Sequence, residues 1–265
     1  MSVPFSLKGR RALVTGGNSD IGAAIARGLA QLGADLVLHH FGADEVTETF
    51  AGSLRATGCQ TQVVEADFLD VQSVAPFAAT LLRDYGPIDI IISCAAVERR
   101  KPWSQVTAAD FHEHLAAGVT ALISLCSVLV PPMCERGWGR VVAIGTVLSD
   151  RPRAETIPYA AAKSAQWTAM RAMARDVAPH GVTMNVVSPG AVETKPMASR
   201  YADPAFRKAV TAKIPMGRPG RPDDVVGPVL MLCSDAGAYV TGVNIPVDGG
   251  WTIGDAPGGL PGATP

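Results

Sequence analysis

Short runs of β-branched residues alternate with helical patterns along almost the whole chain, and this alternation restricts the fold more than any other feature. "RALVTG" reads as a strand; Ile21, Ile25, Leu29 and Leu32 then recur with helical period, and "ADLVLHH" is a strand again. Further strands are expected over residues 60–66, 88–93, 139–146 and 182–188, with helices over 43–57, 70–85, 107–134 and 156–179 between them. Strands separated by helices pair in parallel through right-handed crossovers, so the expectation is an α/β fold with a doubly wound parallel sheet and helices on both faces. The chain of 265 residues accommodates one such domain, read as residues 1–255, followed by a Gly/Pro-rich tail, "APGGLPGATP", at 256–265 that is expected to be mobile. Between Pro196 and Pro222 the rhythm loosens and Pro, Gly and Arg become frequent, which suggests an excursion over a site.

Composition removes several functions. Hydrophobic residues make up 48% and charged residues 18%, enough for a continuous core and without a disorder signature. A formal net charge of -1, with Lys and Arg scattered, leaves no footprint for nucleic acid or an anionic membrane, so neither is an expected partner. The longest apolar run, around Ala116 to Met133, has a Gly near its start and a Pro pair near its end, and reads as a buried helix rather than a membrane span. The N-terminal "MSVPFSLKGRRALV" lacks the long apolar core of a secretory signal. Five widely spaced cysteines, never as Cys-x-x-Cys, read as reduced thiols of a cytoplasmic protein. His112 and His114 lie two apart, on different sides of a helix, so no metal site is expected there.

The first strand runs directly into "TGGNSDIGAAIA", a glycine turn that opens a helix. In that context backbone N–H groups and the positive helix end can receive a pyrophosphate, which assigns Gly16, Asn18, Ser19, Asp20, Ile21 and Gly22 to a dinucleotide site. The pattern resembles the short-chain dehydrogenase/reductase family, in its 3-oxoacyl-reductase-like branch. That family's turn reads Thr-Gly-x-x-x-Gly-x-Gly; Thr15, Gly16 and Gly22 match, and Asp20 replaces the middle glycine. A carboxylate there could compete with phosphates, or turn away and cap the helix; the cap is the expected role.

The resemblance implies a Rossmann-type fold and further cofactor contacts. At the end of the second strand an acidic residue would hold the 2'-hydroxyl of NAD; His39 and His40 stand there, so NADP is favoured over NAD, with His40 at the ribose. "EADFLD" is similar to the adenine-pocket segment and places Asp67 and Phe68 beside the ring, Asp67 reading otherwise as an ordinary turn residue. "SCAA" replaces the family's Asn-Asn-Ala-Gly, leaving Cys94 and Ala95 at the cofactor without the asparagines' hydrogen bonds. "NVVSPGAVETKPM" is similar to the segment lining the nicotinamide, with Pro189 and Gly190 in a turn and Val192 and Thr194 at the carboxamide. The likeness spans about residues 6 to 252.

"PYAAAKSAQ" puts Tyr159 and Lys163 at i and i+4 on one helix face, near the carboxyl ends of the strands where such sheets bind ligands. A tyrosine with an ordinary pKa of about 10 needs help to move protons near neutrality, and a nearby ammonium supplies it. In the family the lysine also holds the nicotinamide ribose, and a serine 13 residues before the tyrosine holds the substrate oxygen; here that position is Thr146, with Ser149 in reserve. A family asparagine that supports a relay water falls at Gly118, which has no side chain to do so.

The implied activity is hydride transfer between NADP or NAD and a secondary alcohol or ketone, with Tyr159, Lys163 and Thr146 catalytic, in a homotetramer. Arg99, Arg100 and Lys101 after strand four, with Arg151 and Arg153 after strand five, suggest an anionic substrate; ordinary solvated charge is the other reading. The departures at Asp20, Cys94 and Gly118 motivate one rival, a dinucleotide-binding regulator or scaffold with weak or no turnover; a third reading keeps the cofactor but uses it for isomerisation or dehydration without net redox chemistry.

Overall fold

The computed structural model describes residues 4–42 and 44–254. The tail read at 256–265 lies outside the described residues. Seven strands form one sheet: β1 (Arg11–Thr15), β2 (Asp35–His40), β3 (Thr61–Glu65), β4 (Ile90–Ser93), β5 (Gly139–Ile144), β6 (Val182–Pro189) and β7 (Asn244–Val247). All neighbours pair in parallel in the order β3-β2-β1-β4-β5-β6-β7. This is the Rossmann-type doubly wound sheet expected from the alternation. The order reverses at β1, which pairs with β2 through Val14 and Leu38 on one side and with β4 through Val14 and Ile92 on the other. A crevice opens at the carboxyl ends of β1 and β4, and ligands bind at such reversals.

Alternate residues of each strand enter opposite cores. Leu13, Ile91, Val141 and Met184 pack under α3 (Val74–Tyr85), α5 (Ala121–Glu135) and α6 (Ile157–Val177). Ala12, Val14, Ile92 and Val142 pack under α1 (Asp20–Gln31), α2 (Asp44–Arg55) and α9 (Val226–Cys233). Both faces of the central strands are dry, which is why they read as unbroken β-branched runs instead of alternating ones.

The apolar run around residues 116–133 continues from α4 (Ala108–Leu115) through a π turn (Ala116–Thr120) into α5. The run is the helix expected over 107–134, and neither Gly118 nor the Pro pair interrupts it. Gly118 sits inside the turn and Pro131 and Pro132 inside α5, so Ala108–Glu135 forms one helix of 28 residues, long and apolar enough to cross a membrane by length and composition. Its Leu122, Leu125, Leu129 and Met133 are buried in the sheet-facing core.

The looser stretch after β6 forms a short turn at Lys195–Met197, then α7 (Ala198–Ala202) and α8 (Pro204–Thr211). Asp203 starts α8 by accepting the Ala205 N–H.

Candidate active site

The glycine turn is set by close backbone approach. Gly16 adopts φ +63, and a Cβ there would stand 3.0 Å from the backbone N and Cα of Ala95; one on Gly22 would stand 2.2 Å from the Gly16 carbonyl oxygen. Only glycine fits such a cradle. Thr15 at the end of β1 fixes the neighbouring strand end, its Oγ1 accepting the N–H groups of Cys94 at 3.0 Å and Ala95 at 3.1 Å.

Helix α1 is capped by Ser19, whose Oγ accepts the Gly22 N–H at 3.1 Å. The cap expected of Asp20 is therefore corrected. Asp20 is the first residue of the helix, and its Oδ2 accepts the backbone N–H of Lys195 at 2.6 Å, with the Lys195 ammonium 3.9 Å from Oδ1.

Thr146 leaves β5 as the cap of a short helical turn, its Oγ1 accepting the Leu148 N–H at 3.2 Å. The half-buried phenol of Tyr159 faces the same side chain. Loss of hydration holds that phenol above its ordinary pKa, with Glu98 and Cys94 pushing the same way; the Thr146 hydroxyl and Arg100 pull against them. The expected lowering by Lys163 is corrected by geometry. The ammonium lies 6.0 Å from the phenol ring centre and turns inward, donating to the Ile144 carbonyl at 2.7 Å and to Gln166 Oε1 at 3.2 Å. Burial brings Lys163 itself down to about 8.

A cleft of about 490 Å³ runs between these groups. Asn18, Ser19, Asp20 and Ile21 form one end. Cys94, Thr146, Tyr159 and Lys163 form the floor, with Pro189, Gly190, Val192 and Thr194 beside them. Gly190 is held tight, since a Cβ there would meet Asp248 Cβ at 2.7 Å. Tyr201, Phe206 and Val210 of α7 and α8 close over the top, so the excursion does cover the site.

Gly16, Gly22, His40, Asp67, Phe68 and Ala95 stand outside the cleft wall. Gly16 and Gly22 shape the turn, and Ala96 lines the cleft in place of Ala95. Asp67 acts as the turn residue of the alternative reading, its Oδ1 accepting the Leu69 N–H at 2.9 Å. Phe68 does not offer a free face: it is 6% exposed and stacked on His39, ring centres 4.1 Å apart and planes 7° off parallel. At the β2 end it is His39 that meets the glycine turn. Its Nδ1 accepts the Gly16 N–H at 3.3 Å, which leaves the proton on Nε2 to bond the Ala66 carbonyl at 2.9 Å. Burial lowers its pKa to about 4, so the ring is neutral.

The charged edge divides. Arg99 is paired with Glu113 and Lys101 with Asp110, at 2.6 Å and 2.5 Å. Arg151 donates to the Trp251 carbonyl at 2.6 Å. Arg100 and Arg153 line the cleft, Arg100 with Glu98 at 2.7 Å and Arg153 over the Trp251 ring at 5.3 Å. Glu98, Gln166 and Trp251 were missed by the sequence reading, since Gln166 reaches Gly118 and Trp251 meets Arg151 and Arg153, contacts between segments far apart in the chain.

A cradle that admits no Cβ, at the amino end of a capped helix, fits a pyrophosphate, and the lysine beyond it retains one N–H for a ribose hydroxyl. At the reversal of a doubly wound sheet, with a tyrosine and a threonine together on the cleft floor, these features define a nicotinamide-dependent oxidoreductase. The family model described as enoyl-(acyl carrier protein) reductase matches residues 16–252. The chain belongs to the short-chain dehydrogenase/reductase family, 3-oxoacyl-(acyl-carrier-protein) reductase-like branch, and is an NAD(P)-dependent oxidoreductase acting on CH–OH groups. It is 34% identical to gluconate 5-dehydrogenase of Gluconobacter oxydans, over 94% of this chain and 97% of that protein. It is 32% identical to 3-oxoacyl-(acyl-carrier-protein) reductase of Pseudomonas aeruginosa, over 93% and 98%. A crystal structure of a gluconate 5-dehydrogenase from Burkholderia cenocepacia in complex with NADP and tartrate superposes with a TM-score of 0.89 at 31% identity, covering 95% of this chain and 98% of that one.

Proposed function

We propose that the chain passes a hydride between NADP and a small hydroxy acid or keto acid, with Tyr159 as the proton donor in reduction and acceptor in oxidation. The observation that carries this reading is the meeting of Tyr159 and Thr146 on the floor of a cleft that also holds Arg100 and Arg153. The names of the relatives support the substrate class: gluconate is a hydroxy acid, and tartrate is a second one held by a relative. The neutral His39 and buried His40, where a carboxylate would hold NAD, together with NADP in that relative, support NADP.

The cofactor, when bound, supplies or accepts the hydride at its nicotinamide ring. Asn18 to Ile21 would hold the pyrophosphate and Lys163 the ribose, with Val192 and Thr194 at the carboxamide. Thr146 orients the substrate oxygen against the Tyr159 hydroxyl. In reduction the carbonyl carbon gains the hydride and its oxygen takes the phenol proton; oxidation reverses both transfers. A phenol held above its ordinary pKa stays protonated and ready to donate, which suits reduction. Residues 1–255 would act as one domain. A homotetramer is the proposed assembly, on the strength of the family likeness alone.

The test follows reduced-nicotinamide absorbance with NADPH and NADH in turn, against keto acids, sugar acids and neutral ketones. Turnover that is lost in Tyr159→Phe supports the reading. Dinucleotide binding without turnover of any substrate would favour the binding-protein rival, which the Asp20 carboxylate at the helix start motivates.

A further inference from the structure

Gln166 lies three residues beyond Lys163 on α6 and is 0% exposed. Its Oε1 accepts the Lys163 ammonium at 3.2 Å, and its Nε2 donates at 2.7 Å to the carbonyl of Gly118 inside the π turn. The orientation of the amide is fixed by its partners, since an ammonium only donates and a carbonyl only accepts. A buried amide costs stability unless both ends are satisfied, and an aliphatic residue would fill the same space without that demand. A Cβ on residue 118 would meet no atom of another element within 4 Å, so the contact to α6 at this point runs through the Gly118 carbonyl.

We propose that Gln166 is a positioning residue that ties the Lys163 ammonium to the π turn and thereby aims its remaining N–H into the cleft. An ammonium has three donors; two go to Ile144 and Gln166, and Lys163 lines the cleft with the third. The titratable groups facing it are the Cys94 thiol beyond β4 and the Tyr159 phenol one turn back on α6. Burial holds both above their ordinary pKa, so neither carries a negative charge to hold the lysine. Two neutral oxygens therefore hold it. The chain from Lys163 through Gln166 ends at the Gly118 carbonyl, which has no proton to pass on.

This rests on the reading that Lys163 works beside Tyr159, and the test separates the two. NMR with isotope-labelled lysine follows the Lys163 titration in the cofactor-free protein. The unaltered chain should titrate at about 8. Gln166→Leu, which removes the acceptor, should move the midpoint down by about one unit, and Gln166→Glu should move it up by about as much. Fluorescence titration should show NADPH affinity about five- to ten-fold weaker in Gln166→Leu. A Lys163 midpoint unmoved in Gln166→Leu overturns the proposal, as does a downward shift in Gln166→Glu. Should the leucine variant not fold, the glutamate variant decides alone. Absence of turnover in the unaltered protein would defeat the functional reading while leaving the lysine titration to judge Gln166.

Discussion

The carboxylate of Asp20 reaches from the first turn of α1 to the backbone N–H of Lys195, joining two sides of the cleft at 2.6 Å across 175 positions of sequence. This residue replaces a family glycine, and it places a negative charge where a pyrophosphate is expected while clasping the segment that leads to α7 and α8. The two effects separate by substitution. Asp20→Asn keeps an acceptor for Lys195 and removes the charge, so the Kd for NADPH should fall about two- to five-fold in a fluorescence titration, most clearly at low salt. Asp20→Ala loses the clasp as well, and the amides of residues 195–211 should exchange faster with solvent by mass spectrometry.

Thr146 holds its own turn and faces the Tyr159 phenol. Thr146→Val keeps the branched shape and removes the hydroxyl; kcat should drop about a hundred-fold or more with little change in KM. Thr146→Ser should remain within about three-fold of the unaltered enzyme, since the hydroxyl survives. Steady-state kinetics on the best keto acid substrate reads both.

Arg153 lies against Trp251 on the cleft wall, with its ion-pair partner Glu155 at 3.9 Å, too long for a tight pair. It is therefore available to an acidic substrate in a way that Arg99 and Lys101, already paired, are not. Arg153→Ala should raise KM about ten-fold for hydroxy acids and leave KM for neutral alcohols unchanged. An equal rise for both classes would mean that the guanidinium shapes the wall and does not bind charge.

Acid should weaken the fold through His39. Its folded pKa, about 4, lies below the ordinary value of about 6.5, so between these values the unfolded chain binds a proton that the folded chain does not. Stability then falls as pH falls through that window, by about 2 kcal/mol between about pH 7 and about pH 5. His39→Gln should lose less over the same range in denaturant titrations, because it has no proton to gain.

The fold was legible because its signals are local. The order of strands and helices follows from periodicity within a dozen residues, and the Tyr159–Lys163 pair from a single helical turn. Details that depend on distant partners were not legible. Which of Ser19 and Asp20 caps α1 depends on Lys195, and whether Arg99, Arg100 or Arg153 faces a substrate depends on Glu113, Glu98 and Trp251. The lysine was readable and its direction was not, because Gln166 and the Ile144 carbonyl draw it inward. His39 and His40 are adjacent in sequence, and only the pleat of β2 decides which of them meets Phe68.

Every residue added to an α-helix rotates all that follows by about 100°. The widened turn at Ala116–Thr120 absorbs a surplus residue, so the two halves of the long helix are out of phase by design. The upstream half sends His114 edge-on toward the Tyr159 ring, 6.3 Å away, while the downstream half points its leucines at the sheet. Deleting one residue there would bring the halves into step with each other and out of step with their neighbours. Length changes that a surface loop would absorb would here act as a twist of the wall behind the tyrosine.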